Sequence, residues 1–530
     1  DETAAVNPDV YKITSDFVPL RQIDETSFSA LVNWDVGFAS LRANIGIFDY
    51  EEFRLTDSDF SYSTSVWQEN NPGETPPTST GPGYWQQCWG GPTCGLAAGQ
   101  RVNSKAMQAD VNLNSNSDGA LQWTLGFFYY DDSGDGDTSS EFVWGYTDTT
   151  APQSVSWGHW LYQGNGGTKS TAIYGQAEYS FTDTTRGTVG LRQSRDERRF
   201  FNRYVDWGPG VHGWEAGYYA AHYADPGSRF APWPEFVTTQ ASIDNEQNGK
   251  KDHTDWKVAI QHDLNDEMMI YGSASTGYIA GAIEGGGSTG LTKPNEVMSY
   301  EAGLKSTLLD GTMRLNVAAF FNDYDGLTTS SFVEQGQTIV AVQNVGGTME
   351  STGLEVEMNW AATDRLQVNA GLALNNSELK EFGRTVLNRV FHSGGDVEIG
   401  TADPCDQTCS QVYFLDGKDA RFSPAYTLSV NATYEFELAG GSLVPGVYMY
   451  HSDDYKTTNI EYFFTKQDAY TTWDLRATWT SESSPLSIQA YMLNATDEIV
   501  QVGGDQFSQG RAVADFNNPR TWGIRLGYNF

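Results

Sequence analysis

A period of two governs this sequence, and it is clearest in TWGIRLGYNF at 521–530. Trp522, Ile524, Leu526, Tyr528 and Phe530 fall on one face of an extended strand, and Gly523, Arg525, Gly527 and Asn529 fall on the other. The same alternation runs through Leu121, Trp123, Leu125, Phe127 and Tyr129, through Met313, Leu315, Val317, Ala319 and Phe321, and through Tyr426, Leu428, Val430, Ala432, Tyr434, Phe436 and Leu438. Strands of soluble proteins usually have about 5 or 6 residues, whereas a tilted strand needs roughly 9 to 11 to cross a bilayer. These runs have the greater length. A fully apolar face opposite a polar one suits lipid on one side and a wet lumen on the other. The expected fold class is therefore all-β, a transmembrane antiparallel β-barrel. A soluble sandwich with one wet face per strand is the competing arrangement.

Composition agrees with the barrel. The chain has 530 residues, of which only 39% are hydrophobic, and 55 glycines. No run of about 18 apolar residues could serve as a transmembrane helix, but a barrel strand needs apolar side chains at only half its positions. The net charge of −36 argues against nucleic acid as a partner. Acidic loops of this kind suit a lipopolysaccharide surface bridged by divalent cations, or serve simply to keep long loops soluble. No signal peptide heads the sequence, so one was removed or lies upstream. Four cysteines form two close pairs, Cys88 with Cys94 and Cys405 with Cys409. Neither pair has zinc-site spacing; export to an oxidising compartment favours two small loop disulfides.

Alternating runs separated by turn residues give about 17 strands, the first at 25–35 and the last at 520–530. Connections alternate between short turns, such as Asp35-Val36-Gly37, Leu309-Asp310-Gly311 and Ala439-Gly440-Gly441, and long loops near 56–99, 133–168, 206–251, 283–295, 381–423, 458–468 and 501–519. Outer-membrane barrels share this asymmetry, with short turns in the periplasm and long loops outside. An odd strand count places residues 1–24 in an exterior loop and 25–530 in a barrel that is not complete by itself.

No nucleophile motif or zinc-protease motif accompanies the 7 histidines, so enzymatic activity is not expected. Loop 206–251 crowds Trp207, Trp214, Tyr218, Tyr219 and Trp233 into a short stretch. Rigid flat rings can stack on sugars, catechols or planar cofactors, or simply pack on one another. In DDSGDGD, Asp131, Asp132, Asp135 and Asp137 cluster hard oxygen ligands with glycines, as Ca²⁺ loops do, although the EF-hand spacing is absent. A solvated acidic loop tip is the alternative, and no cofactor is required. Arg192, Arg195, Arg198, Arg199 and Arg203 form the one dense basic stretch. Alternation points Arg192 and Arg198 into the lumen, to steer an anionic ligand or pair with a plug. It also turns Gln193, Arg195 and Glu197 outward, which implies a bulge or an early exit from the membrane.

Six segments carry a family resemblance: KSTAIYGQAEYSFTDTTRGTVGLRQSRDERRF (169–200), MIYGSASTGYIAGAI (269–283), KPNEVMSYEAGLKSTLLDGTMRLNVAAFFNDYDGL (293–327), NVGGTMESTGLEVEMNW (344–360), LNATDE (493–498) and PRTWGIRLGYNF (519–530). In this order they resemble the barrel of TonB-dependent outer-membrane receptors. The resemblance implies a barrel of about 22 strands closed by an N-terminal plug, with this chain supplying roughly strands 6 to 22. The plug and first five strands would be a separate or unassigned segment. It further implies TonB-driven import of a scarce nutrient, foremost a ferric siderophore or other metal chelate, across the outer membrane with the loops outside. An oligosaccharide is the alternative cargo, and a plugless barrel acting as passive pore, adhesin or scaffold is the alternative role. Tyr528 and the final Phe530 resemble the signal read by the outer-membrane assembly machinery.

Overall fold

A computed structural model describes residues 20–57, 94–132, 139–148, 155–206, 243–281, 292–335, 338–382, 384–388, 410–459, 465–507 and 511–528. All regular elements among them are strands. One antiparallel sheet contains nineteen hydrogen-bonded segments; two of its wall strands consist of two segments each, which leaves seventeen. They are β1 (Leu20–Asp35), β2 (Ala39–Asp57), β3 (Cys94–Ser115), β4 (Leu121–Asp131, resuming as Ser139–Asp148), β5 (Val155–Ser180) and β6 (Thr185–Asp206). Next come β7 (Ile243–Asn265), β8 (Met268–Ile279), β9 (Asn295–Leu308), β10 (Met313–Gln335), β11 (Thr338–Ala361) and β12 (Leu366–Lys380). The wall ends with β13 (Tyr426–Tyr434 and Phe436–Glu437), β14 (Gly441–Ser452), β15 (Tyr470–Ser481), β16 (Leu486–Leu493) and β17 (Thr521–Tyr528). Each strand pairs with its chain neighbour, so the wall is an up-and-down meander. Among the described residues β1 pairs only with β2, and β17 only with β16.

Residues directly opposite in an antiparallel pair share a face, so the face of one strand fixes that of the next. Trp522, Ile524 and Leu526 on β17 are 75%, 68% and 71% exposed. They lie opposite Met492, Ala490 and Ile488, which lie opposite Leu475, Ala477 and Trp479 on β15. Followed strand by strand, the register carries this apolar outer face back to Phe28, Ala30, Val32 and Trp34 on β1. Leu428 and Leu315 both belong to it, Leu428 beside Leu372 and Leu315 beside Met358. The sandwich is thereby excluded: among the described residues no second sheet covers these rows.

The short turns rest on left-handed backbone. Gly37, Gly311 and Gly440 adopt φ of 90°, 88° and 71°, and no atom stands within 4 Å of where their Cβ would be. Conformation, not space, asks for glycine there. At the opposite end, the apolar outer row stops at a carboxylate on strand after strand. Asp323, Glu350 and Glu378 stand side by side on β10, β11 and β12, with Lys380 2.6 Å from Glu350 and 3.4 Å from Glu378. Asp131 ends the row on β4, 3.7 Å from Lys169.

Several boundaries differ from those expected. The first strand begins at Leu20, because Leu20–Asp24 continue the ladder with Glu51–Leu55. The segment 133–168, expected to be a loop, contains strand Ser139–Asp148 and the first part of β5. Asp131 faces Met107 on β3 while Ser139 faces Asn103, so eight steps along β4 match four along β3. The acidic DDSGDGD run therefore interrupts one wall strand and does not cap a hairpin. Strand β16 ends at Leu493, where Asn494 turns the chain at φ 47°. Small ribbons rise from three loops, Arg384–Asn388 with Ser410–Phe414, Tyr455–Lys456 with Lys466–Gln467, and Gln501–Phe507 with Arg511–Phe516. Beside the first of these, Leu379, Phe382, Leu415 and Ala420 form a small buried cluster that fastens the loop to the lumen face of β12.

Candidate functional site

The lumen face of β4 to β7 carries the two arginines that alternation turned inward. On β6 the inward set is Arg186, Thr188, Gly190, Arg192, Ser194, Asp196 and Arg198, and the outward set includes Val189, Leu191, Gln193, Arg195 and Glu197. No register shift interrupts β6 against either neighbour, so the bulge is absent and the strand leaves the apolar band above Leu191. Its outward polar residues pair with β7: Arg195 Nε donates to Asp252 at 2.8 Å, and Lys250 Nζ lies 2.9 Å from Glu197. The hydrogen bond from Arg195 holds the Asp252 carboxyl below its ordinary range, and Asp252 in turn raises Arg195.

Of the inward arginines, Arg186 lies 3.7 Å from Asp263, but Arg192 and Arg198 are not neutralised in this way. The Arg192 guanidinium lies over Phe128 and Tyr174, 5.3 and 5.6 Å from the ring centres, and its Nε donates to Ser194 Oγ at 3.1 Å. Arg198 Nη1 donates to Thr168 Oγ1 at 2.7 Å, while its Nε is buried without a hydrogen-bond partner. Among the described residues neither guanidinium makes a salt bridge. Asp110, Asp132, Asp196 and Asp255 share this face, and none of them forms a salt bridge with either guanidinium among the described residues. Asp255 stands opposite Arg192 in register, but it accepts from Thr276 Oγ1 at 3.1 Å and meets His253 Nε2 at 3.1 Å. This diversion follows from the ladder: β7 and β8 part after Lys257 and Ser275, and Thr276 Oγ1 takes over the Trp256 N–H at 3.0 Å. Asp110 accepts from the Tyr174 hydroxyl at 2.9 Å, and Asp132 from the Tyr130 hydroxyl at 3.0 Å. His253 stacks on Tyr278 with ring centres 4.1 Å apart. The result is a patch of mixed charge, with two guanidiniums and four carboxylates beside aromatic rings, in which neither guanidinium is taken up by a carboxylate.

The other expected site residues divide between described and undescribed positions. Trp207, Trp214, Tyr218, Tyr219, Trp233, Asp135, Asp137, Cys88, Cys405, Cys409 and Phe530 lie outside the described residues. Cys94 opens β3 opposite Asp148. Asp131 and Asp132 occupy opposite faces of the wall: Asp131 shares the outer row with Lys169, while Asp132 shares the lumen face with Tyr130 and accepts the Thr168 N–H. Tyr528 stands on the outer face opposite Leu486.

A second lumen feature was not foreseen. At the long-loop end of β12 to β15, Phe422, Tyr450, Tyr455 and Tyr470 line a cavity of about 390 Å³ together with Asn375 and Thr427. Its residues come from five separate segments, and the only hint in sequence was tyrosine at lumen positions of successive strands.

Compared with known proteins, residues 6–495 match the model of the TonB dependent receptor-like β-barrel family. The chain belongs to that family. Among solved structures it resembles the ferric yersiniabactin uptake receptor FyuA from Yersinia pestis, with TM-score 0.64 and 14% identity over 96% of this chain and 61% of that one. The siderophore receptor PiuA from Acinetobacter baumannii gives 0.61 and 12%, over 96% and 64%. The ferric citrate transporter FecA gives 0.56 and 13%, over 96% and 62%. At these identities the likeness is one of fold. This chain spans less than two thirds of the length of those receptors.

Proposed function

We propose that the chain forms most of the barrel of an outer-membrane receptor that captures an anionic metal chelate, foremost a ferric siderophore, for TonB-driven import. The observation that carries this reading is the pair Arg192 and Arg198, two inward guanidiniums without carboxylate partners in a chain of net charge −36. A guanidinium that no carboxylate takes up can pair bidentately with an anionic group of a ligand. The short-turn end faces the periplasm and the long-loop end the exterior, where the outward carboxylates and lysines meet lipopolysaccharide and its divalent cations. Energy from TonB enters through a plug carried by a segment outside this sequence. That segment also supplies about five strands, since a bare strand edge in lipid costs several kcal/mol per unsatisfied group. Calcium held by the acidic break in β4 requires Asp135 and Asp137 to complete the site. Two loop disulfides, Cys88–Cys94 and Cys405–Cys409, are expected; a 94–405 link or free thiols in mass spectra of non-reduced peptides overturns that pairing.

The test is binding of ferric complexes of graded charge, read by quenching of intrinsic fluorescence. Anionic ferric citrate should bind more tightly than a neutral ferric hydroxamate, and Arg192→Ala with Arg198→Ala should abolish the preference. Equal affinity for both complexes overturns the anionic cargo. Steady ion conductance of the assembled receptor in planar bilayers overturns the plugged transporter in favour of a pore.

A further inference from the structure

We propose that Thr276 and His253 are positioning residues: they hold Asp255 away from Arg192 and so keep this guanidinium open to an anionic ligand. Arg192 on β6 and Asp255 on β7 are directly opposite on the lumen face. Residues so placed have Cβ atoms about 4.5–5.5 Å apart, close enough for a salt bridge. On the outer face of the same two strands the opposite charges do close: Arg195 Nε lies 2.8 Å from Asp252 Oδ1, and Lys250 Nζ 2.9 Å from Glu197 Oε1. Arg192 and Asp255 stay apart because each is drawn away from the other.

Arg192 is drawn towards β4 and β5. Its guanidinium lies over Phe128 on β4 and Tyr174 on β5, and its Nε is held by Ser194 Oγ at 3.1 Å. Gly126 makes room for this, since a Cβ there would collide with the Tyr174 ring. The Tyr174 hydroxyl is anchored on Asp110 at 2.9 Å. Nη1 and Nη2 of Arg192 have no partner among the described residues. The fork that grips a carboxylate or phosphate bidentately is therefore unspent.

Asp255 is drawn towards β8. Thr276 Oγ1 donates to Asp255 Oδ1 at 3.1 Å, and His253 Nε2 meets the same oxygen at 3.1 Å. Thr276 is itself fixed, because it accepts the Trp256 N–H at 3.0 Å where the ladder between β7 and β8 has ended. His253 is fixed by Tyr278, stacked 4.1 Å away at 9°, and by Glu296 Oε1 on β9, 3.5 Å from its Nδ1. Asp255 Oδ2 has no partner among the described residues. One oxygen thus carries the whole restraint, and loss of its donors frees the carboxylate to turn back across the ladder.

This inference rests on the reading of Arg192 as a ligand contact, and it says how that contact is kept available. An arginine already paired must give up its partner before it can take a ligand group. A pair held apart by its own neighbours meets that cost in folding and not in binding. Lys257, next to Asp255 on the same face, is the other cation that a freed carboxylate could reach.

Phenylglyoxal, which labels guanidiniums, reads the split without any chelate. The full chain in detergent micelles is treated, and labelling is followed by peptide mass spectrometry, with Arg525 on β17, opposite Gln489, as internal reference. Thr276→Val keeps the shape and removes the donor. It should slow labelling of Arg192 about threefold, the scale of one ion pair near a protein surface. Thr276→Ser keeps the hydroxyl and should label as the parent does. Adding Asp255→Asn to Thr276→Val should restore the rate, which a misfolded barrel could not do. His253→Phe keeps the stack on Tyr278 and should show a smaller loss. Affinity for ferric citrate should follow the same order. Unchanged labelling in Thr276→Val, as capture of Asp255 by Lys257 would leave it, overturns the proposal, and so does a loss that Asp255→Asn fails to restore. Altered labelling with unaltered ferric citrate affinity, in a parent that prefers the anion, overturns the role in binding. A parent that binds ferric citrate and a neutral ferric hydroxamate alike, while Thr276→Val still slows labelling and Asp255→Asn restores it, removes the anionic cargo and leaves the split pair standing.

Discussion

The two lumen regions share everything that faces lipid and differ in what faces water. On β6 the outer row runs through Val189 and Leu191, and on β13 through Leu428, Val430 and Ala432. Inward, β6 presents Arg192 and Arg198 beside aromatic rings, whereas β13 and its neighbours present tyrosines, an amide and a hydroxyl with no charge. One repeating backbone therefore supports two surfaces of opposite selectivity. The bilayer constrains every second residue and leaves the alternate set free for function.

If the outer rows are truly equivalent, Val189→Arg and Val430→Arg should destabilise the chain similarly, by about 2–4 kcal/mol near the midplane. Denaturant unfolding in lipid vesicles measures this; a large cost at only one site would break the common band. The inner surfaces should respond separately. Replacing Arg192 and Arg198 by alanine should weaken an anionic ferric chelate about tenfold, or roughly 1.4 kcal/mol. A smaller contrast comes from salt. Raising ionic strength from about 0.15 to 1 M, which shortens the screening length from about 8 to 3 Å, should weaken binding of the anionic chelate to the parent chain more than to the variant lacking both arginines.

The smallest effect concerns the outward ladder above the band. The Asp252 carboxyl is depressed by Arg195, so its contribution is complete above the ordinary carboxylate value near 3.9 and is lost as pH falls through the depressed value. Thermal midpoints of the parent chain and of Asp252→Asn should differ slightly at pH 7 and converge below about pH 4. Both groups are exposed, so the difference should be small. A gap that widens on acidification would contradict the assignment.

Most of the outer face was legible in the sequence because lipid enforces a rule at each alternate position. Met313 to Phe321 and Trp522 to Tyr528 needed no knowledge of their neighbours. The lumen was only half legible. Alternation placed Arg192 and Arg198 inward, but their lack of a carboxylate depends on where β7 and β8 separate, which frees Thr276 to claim Asp255. Strand Ser139–Asp148 was hidden because DDSGDGD reads as a loop tip, yet the ladder to β3 resumes after it. The tyrosine cavity left only a hint in its lumen-facing tyrosines, since Asn375, Phe422, Thr427, Tyr450 and Tyr470 meet only through strand register and a loop ribbon.

The joins between neighbouring wall strands are unequal. Among the described residues, β10 and β11 register over 22 pairs, whereas β15 and β16 register over only 6. Each ladder resists sideways stretch in proportion to the bonds loaded together. Under lateral tension, as when a crowded membrane swells, the described wall therefore gives way between β15 and β16 long before β10 parts from β11.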